Sequence, residues 1–332
     1  MDSISLQPVL DAAVASVHAC QLGASACKDP ISQPQSPPPL SEPLRRSAAA
    51  SILYGLGIFP GRESERVSWI DALQAFQNPE TGLCGTSPDT TLWESAATAA
   101  TLDLFDQRLI HPPHALLALC SPANLSDFLS RQDWGRHPDH ACRNTAAVFS
   151  VLTHSGEVGH LWENAYFRWL REETDEHTGL LRRDCLSPME VDGQWTLLPY
   201  LCAYHQILCT YVHARQPHPL PWRLIDTALE VMEYHRDLFC HSFSQRHLPW
   251  IFCLTRSLRL SPHRHEEVIH TLERFVPRYV SFLDDQIAKG HFVDLLHVRN
   301  SIAALAELQI ALPGRLSSRR PLRQILDRIS FL

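Results

Sequence analysis

Five short stretches gather the residue types that acid–base and binding chemistry needs. SPDTTLWES (87–95) carries Asp89, Trp93 and Glu94; HACRN (140–144) carries His140, Arg143 and Asn144. VDGQWTLLPY (191–200) adds Asp192, Trp195 and Tyr200, and the pair QRHLPW (245–250) and VDLLHVRN (293–300) adds Arg246, His247, Trp250, Asp294, His297, Arg299 and Asn300. Two carboxylates can divide acid and base work, and tryptophan platforms with Asp, Glu, His, Arg and Asn suit a hydroxyl-rich ligand. Asp89 with Asp139, Asp192 or Asp294 is the candidate pair. Glu94 is the local alternative to Asp89. Acids also cap helices, and Asp89, Asp139 and Asp192 each stand a few residues ahead of a helical pattern.

The elements that must hold these residues are helices of two kinds. Six are alanine-rich and apolar nearly all round: 45–59, 93–105, 143–155, 198–212, 250–258 and 299–312. Five are charged and amphipathic: 65–77, 115–132 (interrupted at Pro122), 158–173, 222–239 and 263–286. Residues 4–22 and RPLRQILDRISFL (320–332) read as the remaining helices. A helix apolar all round is buried, whereas an amphipathic one faces water. Their alternation gives a unit of roughly 50 residues, a period typical of helical arrays. Text repeats as well: NPETGL (78–83) returns as DEHTGL (175–180), and RNTAA (143–147) as RNSIA (299–303). The expected fold is all-α, an (α/α)6 toroid with an inner ring inside an outer one; an open solenoid of helix pairs is the alternative.

Alternation sends every inner helix in the same direction. The loops leading into them, 28–44, 78–92, 133–142, 174–197, 240–249 and 287–298, are mostly longer and chemically richer than those leading out, and such loops on a rigid frame are where sites concentrate. The inner helices' N-termini gather at that same end and favour an anionic ligand. The expected domain plan is an N-terminal helix (1–27), a proline-rich linker (28–43) and one toroid domain (44–332). Proline breaks both helix and ladder, so KDPISQPQSPPPLSEP cannot be regular structure.

Composition narrows the function classes. A formal charge of −7 leaves no basic footprint for nucleic acid. No apolar run is long enough to span a bilayer, and no export signal is evident, so a cytoplasmic location is expected. The ten cysteines are scattered without a CxxC pair, which suits reduced thiols rather than a disulfide framework or zinc ribbon. A metal site from His140, His247, His297 and Asp294 would lack a helical ligand pair, because the HxxH at 137–140 contains Pro138.

In pattern over residues 45–312, and in text over a few short stretches, the chain resembles the α/α-toroid superfamily of terpenoid cyclases and prenyltransferases. FQNPETGLCG looks like the glycine-rich turn that ends outer helices in that superfamily. SPDTT is similar to the DxDTT acid motif, with Ser87 at the first Asp. VDGQW is similar to a prenyltransferase zinc-ligand stretch, with Gln194 at the cysteine, so the resemblance does not extend to a catalytic zinc. LDDQIAK (283–289) has two of the three acids of a diphosphate–magnesium motif. The resemblance implies acid-initiated cyclisation of an isoprenoid substrate, with Asp89 as proton donor and Trp93, Trp195, Tyr200 and Trp250 as the wall that steadies a carbocation. Magnesium enters if the substrate is a diphosphate. Two other functions fit the residues: a carbohydrate-active hydrolase, lyase or epimerase, and a binding scaffold without catalysis. An apolar closed cavity would favour the first reading, a wet acidic cleft the second and a filled centre the third.

Overall fold

Alanine decides which helices go inside. In the computed structural model, which describes residues 3–21, 40–85, 90–191, 194–235 and 247–331, the alanine-rich stretches become α2 (Glu42–Gly55), α4 (Thr91–Leu104), α6 (Pro138–Ser155), α8 (Leu198–His213), α10 (His247–Leu258) and α12 (Leu295–Ala311). Small side chains let helices approach on every side, and all six are buried around most of their circumference. They pack in one closed sequence: α2 on α4, α4 on α6, α6 on α8, α8 on α10, α10 on α12, and α12 back on α2.

The amphipathic stretches pack outside this set. They form α3 (Glu63–Gln74), α5 (Pro122–Ser130), α7 (His160–Glu172), α9 (Pro221–Tyr234) and α11 (His265–Ala288), joined by the N-terminal α1 (Gln7–Gln21). Trp162, Tyr166 and Phe167 of α7 press on Phe149 of α6, and Phe167 reaches Tyr211 of α8. Such aromatic contacts add to the area they bury. Pro122 ends a 3-10 stretch, His114–Cys120, and opens α5 at N1, where its missing N–H costs nothing.

The repeated hexapeptides fold alike. Asn78 and Asp175 each accept from the backbone two and three residues on. Gly82 and Gly179 both adopt φ +70°, a left-handed conformation that a side chain rarely takes. A Cβ on Gly82 would lie 1.7 Å from Pro112 O, so the turn also needs glycine for space.

The chain ends are the largest departure from expectation. Residues 320–331 were expected as a helix; they run irregularly, with one 3-10 turn at Ile325–Asp327. Pro321 removes a donor and disfavours a helical residue before it. The apolar side chains Leu322, Ile325, Leu326, Ile329 and Phe331 are buried instead. This segment touches the last turns of all six inner helices. Arg323 N donates to Gly55 O of α2, Arg328 to Asp103 O of α4, and Ser330 to Ser150 of α6. Arg328 backbone bonds His213 of α8, Arg256 of α10 reaches Asp327, and Gln324 reaches Glu307 of α12. The six C-termini therefore lie at one end, under one lid. Just before that segment, β4 (Leu316–Ser317) pairs in parallel with β1 (Ile4–Ser5), tying start to finish. The proline-rich linker lies outside the described residues up to 39, and α2 already begins at Glu42.

Candidate functional site

The N-terminal ends of the inner helices bring five of the expected residues together. Trp93, in the first turn of α4, donates its indole N–H to Asn144 Oδ1 at 2.9 Å. Arg143 lies over the Trp93 ring, 4.4 Å from its centroid, and pairs with Asp139 at 2.9 Å. His140 meets the same indole edge-on at 5.2 Å. Helical spacing explains the group: Asp139, His140, Arg143 and Asn144 fall on neighbouring faces of the first two turns of α6. Beside them a cavity of about 370 Å³ opens, lined by Arg136, His137, Asp139, His140, Leu198 and Cys202 among others. Met189 of the hairpin β2–β3 (Met189–Val191 with Gln194–Thr196) forms part of its edge.

Arg299 is the most unusual group at this end. It stands in the second turn of α12, 6% exposed, and its Nε and Nη2 both donate to Asn300 Oδ1, at 3.3 and 3.1 Å. No carboxylate pairs with it among the described residues. Burying a charge without a partner costs several kcal/mol or forces the group to neutralise. Burial indeed pulls the guanidinium down to about 10; Cys209 and Asp294 oppose the shift, and Arg143 adds to it. Arg143 on α6 and Arg299 on α12 thus feel one another across the helix set, three steps apart in the packing circuit. Arg299 also reaches His205 of α8 electrostatically, and burial, helped by that charge, holds His205 at about 3. Cys202, His205 and Cys209 share one face of α8 by their spacing, so the cavity wall at Cys202 continues down toward Arg299.

The other expected residues do different work. Glu94 is buried beneath the preceding loop: Thr90 donates to its Oε1, and a Cβ on Gly85 would lie 1.8 Å from its Oε2. Asp294 caps α12, accepting from Leu296 N at 3.1 Å. Tyr200 donates to Gly135 O and Cys185 O, stapling two loops of the rim. His247 and Trp250 face outward, against Phe275 of α11, and the Trp250 indole donates to Ala228 O of α9. His297 sits between Phe282 and Phe292, and burial lowers its pKa. Asp89, Asp192 and Arg246 lie outside the described residues, as does the side chain of Trp195, whose backbone belongs to β3. The aromatic wall expected of Trp93, Tyr200 and Trp250 is therefore not one surface: each ring has a separate packing role.

Two clusters were not anticipated. Arg256 of α10 and Glu307 of α12 form a buried ion pair; Glu307 also accepts from Arg259 and Gln324 at 3.1 and 3.0 Å. A lone arginine in WIFCLTRSL and a lone glutamate in RNSIAALAELQIAL were the available signal, because a charge in an apolar helix demands a partner. The second cluster has the parts of an acyl-transfer triad. His154 Nε2 lies 2.8 Å from Ser330 Oγ, and its Nδ1 3.9 Å from Asp103. Ser330 is wholly buried, however, and burial holds His154 near 3, where it stays neutral. A nucleophile that no substrate can reach performs no transfer. This cluster fastens the C-terminal segment.

No protein-family model, characterised protein or solved structure matches the chain. Among the described residues no helix is long and apolar enough to cross a membrane.

Proposed function

We propose that the chain is an (α/α)6 toroid that binds a small anionic molecule at the mouth formed by the N-termini of its inner helices. The closed packing order of α2, α4, α6, α8, α10 and α12 supports the architecture, as does the shared lid on their C-terminal turns. One observation carries the function: Arg299 is buried with only the neutral Asn300 for company. An anion arriving beside it would convert an unfavourable buried charge into a charge-assisted pair. Arg143, held over Trp93, supplies a second cation at the rim. The converging helix N-termini add favourable dipoles.

Binding is the reading rather than turnover because the three described carboxylates expected to catalyse are otherwise engaged, Asp139 by its pairing with Arg143. Glu94 is sealed under Gly85 and Asp294 caps a helix. The acid-initiated cyclisation that the sequence resemblance implies would rest on Asp89. Loss of turnover in Asp89→Asn, on any substrate the wild type converts, would restore that chemistry.

The test uses Trp93 as the reporter. Inorganic diphosphate or citrate, titrated at low ionic strength, is expected to change tryptophan fluorescence in a saturable way. The signal should weaken at least about tenfold in affinity in Arg299→Met, the loss of one charge-assisted pair. Equal responses from wild type and variant would refute the reading.

A further inference from the structure

A larger cavity, about 620 Å³, lies at the opposite end, between the lid and the C-terminal turns. That volume falls within the range of small-molecule sites. Four arginines line it, Arg215, Arg256, Arg323 and Arg328, against a single acid, Asp327. In a chain of net charge −7, such a concave cationic surface runs against the average.

Internal partners account for only part of this charge. Arg256 is spent on Glu307 and Asp327. Arg328 gives Nη2 to Asp103 O and pairs with the Asp103 and Asp106 carboxylates at 3.7 and 3.5 Å, while its buried Nε finds no acceptor. Arg215 and Arg323 have no hydrogen-bond acceptor for their guanidiniums among the described residues; Arg323 stands over the Tyr54 ring, 5.5 Å from its centroid. Helix C-termini attract cations, each carrying roughly half a negative charge. That explains Arg328, which bonds a terminal carbonyl, and favours Arg215 just past the end of α8; the guanidiniums of Arg215 and Arg323 still keep donors open to an occupant. Arg215 also holds a left-handed backbone, φ 54°, a conformation that is uncommon for a side-chain-bearing residue. Val212, Ile310 and Leu322 add apolar wall, and Gln324 a neutral polar one.

We infer that this cavity is a second binding site, for a small organic polyanion: a phosphate ester or polycarboxylate with an apolar or aromatic body. Its charged groups meet Arg215 and Arg323, and its body lies along Tyr54 and Leu322. Half of the wall belongs to the C-terminal segment, so an occupant joins that segment to α2 and α8. Binding therefore tightens the lid as well as stabilising the fold, by mass action on the native state.

The experiment uses the full chain and inorganic diphosphate, with potassium chloride at matched ionic strength as control. Thermal unfolding and hydrogen exchange over residues 316–331 are read together. Diphosphate is expected to raise the midpoint and slow exchange of the segment in wild type. Arg215→Gln with Arg323→Gln, both exposed positions, should lose the slowed exchange of the segment, keep only the part of the midpoint shift that the Arg299 mouth supplies, and weaken binding at this cavity at least about tenfold. Arg299→Met should keep the slowed exchange, which separates this site from the one proposed at the other mouth. Equal protection in wild type and the double variant, protection by chloride alone, or loss in Arg299→Met instead would each overturn the inference.

Discussion

The two ends of the inner helices handle buried charge in opposite ways. At the C-terminal end, Glu307 is 1% exposed and saturated by Arg256, Arg259, Thr255 and Gln324. At the N-terminal end, Arg299 is almost as deeply buried and has one neutral partner. A fully bonded network specifies one structure, whereas a half-bonded charge is a cost that some further interaction must offset. The closed end is built to hold the chain together. At the open end the buried charge itself, Arg299, keeps unspent bonding capacity, whereas at the closed end only arginines on the wall of the second cavity do.

The sharpest way to break this contrast is to cut the saturated network. Glu307→Gln leaves Arg256 with only the half-exposed Asp327 as counter-charge, and a loss toward the lower end of about 3–5 kcal/mol is expected, the usual effect of breaking a buried pair. Denaturant unfolding measures it. A loss below about 1 kcal/mol would mean that the closed end is no better bonded than the open one.

Acid should act next. Burial holds His154 and His205 at about 3 and His218 at about 4, against 6.5 for a free histidine. The unfolded chain takes up these protons and the folded chain does not. Stability is therefore fully present above pH 6.5 and falls as pH drops below it, by up to about 1.4 kcal/mol per pH unit for each histidine. Urea titrations between pH 7 and pH 4 should show this slope, and His154→Asn should reduce it. A flat profile would show these histidines to be hydrated.

Arg299→Met should move stability the other way. Replacing an unpaired buried charge with an apolar chain of similar length is expected to be neutral or stabilising, by about 1 kcal/mol or more. A loss as large as that in Glu307→Gln would mean that Arg299 is already well paired. The smallest effect is expected from Trp93→Phe, which removes the bond to Asn144 and should cost about 1 kcal/mol. It should also loosen Arg143 and weaken diphosphate binding at the open end, leaving the closed end untouched.

Much of this was legible in local sequence. Alanine content and apolar circumference marked the six inner helices, and their observed limits differ from expectation by a few residues at the ends. The sharpest shift is α6, which starts at Pro138 rather than Arg143 because proline fits the first helical position. The paired turns at Asn78–Gly82 and Asp175–Gly179 were visible as text, because each rests on a side chain bonding its own backbone and on one left-handed glycine. The RN pairs were visible too, and they do mark Arg143 and Arg299.

What sequence could not decide was direction and partnership. His247 and Trp250 carry chemistry-bearing side chains at the start of an inner helix, yet point to the outer layer, because the angle of α10 about its axis depends on α9 and α11. Glu94 and Asp294 became a buried loop contact and a cap for the same reason. The C-terminal segment shows the limit most clearly. Its apolar residues read as a helix face, and only an opening already shaped by six helix ends makes an irregular path bury them better. Periodicity is a property of the chain, written in residues three and four apart. Which charge meets which is a property of the assembled helices, since Arg256, Glu307 and Asp327 come together only after the packing circuit has closed.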